Sequence, residues 1–93
     1  MIDSQDFLNK DVSELASVEL RALWWDGHEE WHRAHDLVDG PPSQSAAWVH
    51  AYLHRKEGDI WNADYWYRRA GKKRPNCSLY SEWLDLVRHF YSD

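Results

Sequence analysis

The chain holds a single cysteine, Cys77, so it forms neither an intramolecular disulfide nor a multi-cysteine zinc site. A lone, half-buried thiol fits a reducing cytosol. Proline and glycine are scarce, at three and four residues, and they act as punctuation between helical segments. No Gly-rich phosphate loop occurs, and no Ser-His-Asp or Cys-His order is recognisable. No apolar run approaches the roughly 20 residues that span a bilayer. The opening Met-Ile-Asp-Ser-Gln-Asp lacks the cationic and apolar regions of a secretory signal. The expectation is a cytoplasmic protein with no membrane contact, no cofactor and no catalytic residue that the sequence reveals.

Aromatic side chains are plentiful: seven Trp, five Tyr and two Phe in 93 residues. The mean hydropathy is nevertheless -0.83. Such a chain builds a small core from a few large side chains and leaves wide polar faces. Its length suits one domain.

The net charge of -5 conceals an asymmetry. Residues 1–45 carry ten acids and three bases, and residues 46–76 carry three acids and seven bases. The basic cluster is Arg68, Arg69, Lys72, Lys73 and Arg74. Most of it falls at a predicted helix end, where cations complement the helix dipole. A pI near 5.6 disfavours nucleic-acid binding.

The periodicity predicts an all-α fold. Residues 1–10 read as a loosely held arm with a turn at Ser4–Leu8. Helices are predicted over Val18–Asp26 after an Ser17 N-cap, and over Glu29–Val38, with Gly27 as the interruption between them. Asp39-Gly40-Pro41-Pro42 stops the second. Ser43 caps a helix over Gln44–Glu57, and Asp59 caps one over Ile60–Ala70 with Gly71 beyond its end. A last helix covers Ser78–Tyr91. The single domain, 1–93, thus divides into an N-terminal arm (1–16), two hairpins (17–75) and a capping helix (76–93).

A shift of 29 residues aligns the hairpins. Ala22 falls on Ala51, Glu30 on Asp59, Trp31 on Ile60, Ala34 on Ala63 and Val38 on Tyr67. In the second copy Gly58, Ala63, Tyr67, Ala70 and Pro75 match the Gly, Ala, aromatic, Ala and Pro spacings of the tetratricopeptide repeat. The segment resembles that repeat, which implies two tetratricopeptide-like hairpins.

The segments Leu23–Asp26, Trp31–His35 and Trp48–Gly71 carry a second likeness. They read Leu-Trp-Trp-Asp, Trp-x-x-Ala-His and a long block beginning Trp-Val-His-Ala-Tyr-Leu-His-Arg-Lys-Glu-Gly-Asp. The chain resembles a family of small uncharacterised bacterial proteins that share these features. The resemblance implies a relative and lends no activity.

Histidine carries most of the candidate chemistry. His28-Glu29-Glu30-Trp31-His32 matches the His-Glu-x-x-His pattern of zinc peptidases. Gly27 beside it and the lack of any strand argue against a metal on His28 and His32. His50 and His54 also stand at i, i+4, with Glu57 three residues on, and they are expected near Ala63 and Tyr67. His35 should approach the same seam. The three imidazoles form the best candidate for a polar pocket, with Glu57 and Tyr67 as hydrogen-bond partners. His50 and His54 are candidate metal ligands as well.

Arg55 reads either as an anion clamp or as a salt bridge. Trp61, Tyr65 and Arg69 lie off the core stripe of their helix. They are core if the last helix covers them and an exposed binding patch if it does not. The favoured function is a non-enzymatic interaction module with an aromatic and His-lined groove. Its partner would be a protein or small ligand, and homodimerisation would enlarge the groove. The alternative is a small metal-dependent or small-molecule enzyme using His35, His50 and His54.

Overall fold

A computed structural model of the protein describes residues 2–91. Met1 of the expected arm and residues 92–93 of the expected capping segment lie outside the described residues. Among the described residues there are six α-helices, one 3-10 turn and no strand. They are α1 (Ser4–Leu8), the 3-10 turn Val12–Glu14, α2 (Val18–Gly27), α3 (Trp31–Asp39), α4 (Gln44–Glu57), α5 (Ile60–Ala70) and α6 (Leu79–Phe90).

The predicted caps form. Ser17 Oγ accepts from Leu20 N–H at 3.1 Å, and Ser43 Oγ accepts from Ala46 N–H at 3.0 Å. Asp59 accepts from Asn62 N–H at 3.3 Å and Asn62 Nδ2 donates back to it at 3.4 Å. Each of the three backbone bonds satisfies an amide that the first helical turn leaves free. Gly58 ends α4 at φ 91°, a left-handed conformation that a side chain would strain.

One boundary differs from the expectation. Gly27 does not interrupt α2 but lies inside its last turn. A Cβ there would stand 2.5 Å from Leu8 Cδ2 and 3.0 Å from Trp83 Cζ2, so the glycine serves close packing of α2 with its neighbours. The break falls at Glu29, which takes φ 64°. The N-terminal arm differs too. Phe7 on α1 is fully buried and meets Trp83 edge-on, with ring centroids 5.8 Å apart.

Consecutive helices pair: α2 packs on α3, and α4 packs most extensively on α5. The 29-residue shift is visible in the result. Glu30 and Asp59 both stand at N-caps. Ala22, Ala34, Ala51 and Ala63 are all fully buried, as small residues must be where backbones approach. Phe7, Leu23, Val38, Val49, Leu53 and Leu86 build the main core. Ala51, Ala63 and Tyr67 form a second cluster between α4 and α5.

α6 is held by polar anchors as well as by Trp83, Leu86 and Val87. Trp83 Nε1 donates to the Leu23 carbonyl at 2.9 Å. Arg55 Nη1 donates to Glu82 Oε1 at 2.8 Å, and Arg55 Nη2 donates to the Cys77 carbonyl. The Tyr67 hydroxyl completes this buried set by donating to Glu82 Oε2.

Candidate functional site

Three histidine rings from two helices meet at the α3–α4 seam. His50 and His54 stand one turn apart on α4, with ring centroids 4.8 Å apart. His35 on α3 meets His50 edge-on at 4.7 Å and His54 at 5.2 Å. One potential ligand atom from each ring lies within 4.8 Å of the others.

Two tryptophans wall the cluster. Trp31, one turn before His35, stacks on that ring at 4.9 Å and 12°. Its indole N–H donates to the Leu53 carbonyl at 2.8 Å, which fixes the plane against α4. Trp66 on α5 stacks on His50 at 4.0 Å and 18°. His50 is thereby sealed, with 2% of its side chain exposed, while His35 keeps 20%.

The electrostatics follow from this burial. His54 Nδ1 donates to Glu57 Oε1 at 3.2 Å. His50 Nε2 faces Asp39 Oδ1 at 3.9 Å, and its Nδ1 has no hydrogen-bond partner. Burial pushes the His50 pKa down to about 4, and His54 and His35 add to the effect. Asp39 and the Val38 backbone oppose it without cancelling it. His50 is therefore a neutral imidazole at neutral pH.

The other candidates are distributed differently. Glu57 serves His54, as the spacing suggests. Tyr67 does not: its hydroxyl is taken by Glu82, because α6 brings that carboxylate into the interior. Burial and this hydrogen bond raise the Tyr67 pKa. Arg55 is engaged by Glu82 and Cys77 and acts as a structural ion pair.

α6 leaves Trp61 80% exposed and Tyr65 39% exposed. Arg69 Nη1 donates to the Tyr65 hydroxyl at 3.2 Å, and its guanidinium lies 5.3 Å from the Trp66 ring centre. His28 and His32 do not share a helix face, since α2 ends at Gly27 and α3 begins at Trp31. His28 Nε2 donates to the Leu8 carbonyl at 3.0 Å, and His32 packs edge-on against Trp31. Among the described residues this pair belongs to no three-ligand group.

Sequence reasoning missed several partners. The sequence pattern does not associate Asp36 and Asp39 with the histidines, although each lies on the helix that carries His35. Nor does the pattern mark Trp31 and Trp66 as ring walls, though Trp31 stands four residues before His35. A second polar set lies between α2 and α4. Asp26, fully enclosed, accepts from the Tyr52 hydroxyl at 2.8 Å and from Lys56 Nζ at 2.9 Å. Burial and the Asp26 carboxylate raise the Tyr52 pKa. These groups line a cleft of about 260 Å³ whose apolar walls include Leu8, Leu79 and Trp83.

Comparison with known families, with curated proteins and with solved structures finds no match to this chain.

Proposed function

We propose that this chain is a non-enzymatic helical interaction module, built of two tetratricopeptide-like hairpins and a capping helix. The observation that carries the reading is the stripe Trp61, Tyr65 and Arg69 on α5. These residues are spaced at i, i+4 and i+8, and each is exposed. Trp, Tyr and Arg are the residue types that dominate binding energy at protein interfaces. A tryptophan left 80% in water is an anchor awaiting a pocket.

The flanking cations give the partner its sign. Arg68, Arg69, Lys72 and Lys73 surround the stripe's end, so the matching surface is acidic with an apolar recess. A second copy of the chain meets the charge requirement, since residues 1–45 hold ten acids against three bases. The resemblance of the Trp48–Gly71 block to small uncharacterised bacterial proteins belongs to this proposal.

Sedimentation of the full chain across concentration and salt tests it. The expectation is a dimer that loosens with added salt, because screening weakens exposed charge pairs. Trp61→Ala should abolish it. A monomer at every concentration and salt level, with acidic peptides carrying a Trp or Leu failing to bind, overturns the proposal.

A further inference from the structure

We propose that His35, His50 and His54 form a binding site for one divalent transition-metal ion, zinc foremost. The inference is independent of the α5 stripe.

Proximity is the first argument. The three ligand atoms lie within 4.8 Å of one another. Nitrogens bound tetrahedrally to one zinc ion stand about 3.4 Å apart. Side-chain shifts on the order of 1 Å therefore close the set around an ion.

The second argument is the arrangement of carboxylates. Each imidazole turns one nitrogen toward an acid. His54 Nδ1 donates to Glu57, His35 Nδ1 faces Asp36 at 3.9 Å, and His50 Nε2 faces Asp39 at 3.9 Å. A hydrogen-bonded carboxylate fixes the proton on one ring nitrogen and leaves the lone pair on the other, as Glu57 does for His54. This is how metal-binding histidines are oriented and made more basic. The Glu57 bond leaves His54 Nε2 for the metal, and the unpartnered Nδ1 is the ligand atom of His50.

The third argument is an orphaned atom. His50 Nδ1 is buried and has no partner. Native interiors rarely leave such an atom unpaired. The rings also crowd together with no hydrogen bond joining one to another among the described residues, so mutual pairing does not explain the cluster. An ion between the three rings supplies that missing partner to His50 Nδ1.

The ligand set defines the metal class. Three imidazoles suit zinc, copper, nickel and cobalt, whereas magnesium and calcium need oxygen ligands. Three protein ligands leave a fourth position. His35, the ring that keeps 20% exposure, marks the side from which water or a small ligand reaches it. Trp31 and Trp66 shield the remainder.

The test uses the full chain, purified without metal-affinity resin and stripped with a chelator. Zinc is titrated in competition with a chromophoric chelator, and cobalt(II) is added separately for its visible spectrum. The expected result is one ion per chain and an intense four-coordinate cobalt band. His35→Ala should weaken zinc at least tenfold and erase that band. His35 is the least buried of the three, so this variant should fold, and circular dichroism checks it. Glu57→Gln should weaken binding about tenfold through His54 orientation alone. His28→Ala, His32→Ala and Trp61→Ala should leave affinity unchanged. Substoichiometric binding overturns the proposal. So does unchanged affinity in His35→Ala, or an equal loss in His28→Ala.

Discussion

The Tyr67 hydroxyl and the Glu82 carboxylate meet at 2.5 Å inside the protein, and that contact fastens the α4–α5 pair to α6. Arg55 neutralises the same carboxylate from the other side at 2.8 Å. Three helices therefore converge on one buried anion.

Glu82→Ala should be among the most damaging single changes in this chain. It strands the Arg55 guanidinium and the Tyr67 hydroxyl together. Removing one partner of a buried pair costs about 3–5 kcal/mol. Tyr67→Phe keeps the ion pair and should cost about 1–3 kcal/mol, since it leaves one carboxylate oxygen short of a donor. Urea denaturation of the two variants should rank them in that order.

Acid should destabilise the metal-free protein through His50. Its folded pKa of about 4 lies below its ordinary value of 6.5. Above pH 6.5 both states are neutral and nothing is lost. As pH falls toward 4 the unfolded chain takes up a proton that the folded chain refuses, so stability declines across that window. The loss should reach about 3 kcal/mol. His35 and Asp39 from α3 and His54 from α4 are the titratable groups around the ring. His50→Leu should flatten the pH profile, and denaturation midpoints at pH 7 and pH 5 read the difference. An equal decline in both proteins would show that His50 is not the source.

Ala63→Leu should overpack the α4–α5 contact. Ala63 and Ala51 are both fully buried there, with Tyr67 beside them. Added methylenes at such a site cost about 1–3 kcal/mol. A thermal midpoint unchanged by this substitution would contradict the packing described above.

Trp61→Ala should behave in the opposite way. A side chain 80% exposed contributes little to folding, so stability should move by less than about 0.5 kcal/mol. The variant therefore separates folding from association cleanly.

Local signals carried the helices. Ser17, Ser43 and Asp59 announce helix starts because their side chains reach back to free amides, and that chemistry needs no tertiary context. The seam between His35, His50 and His54 was legible for a similar reason: the 29-residue shift places Ala34 and Ala63 alike, and His35 adjoins the first. Distance along the chain hid the rest. Glu82 lies 15 residues from Tyr67 and 27 from Arg55, and no periodicity predicts that a charged residue of α6 turns inward. The Asp26–Lys56 pair, 30 residues apart, was hidden likewise. Gly27 read as a breaker because propensity favours that reading, yet its role is set by Leu8 and Trp83 from elsewhere in the chain.

The Phe7–Trp83 contact has a consequence for synthesis. Ser4 and Tyr80 join the same region, their hydroxyls 2.9 Å apart across 76 positions of sequence. A ribosome adds about 5–20 residues per second, so α1 emerges roughly 4–15 seconds before the helix that seats it. Through that interval Phe7 has no ring to lean on, and the groove around Gly27 stands open. The interior around Phe7 is therefore completed only once α6 has left the ribosome and folded back onto α1.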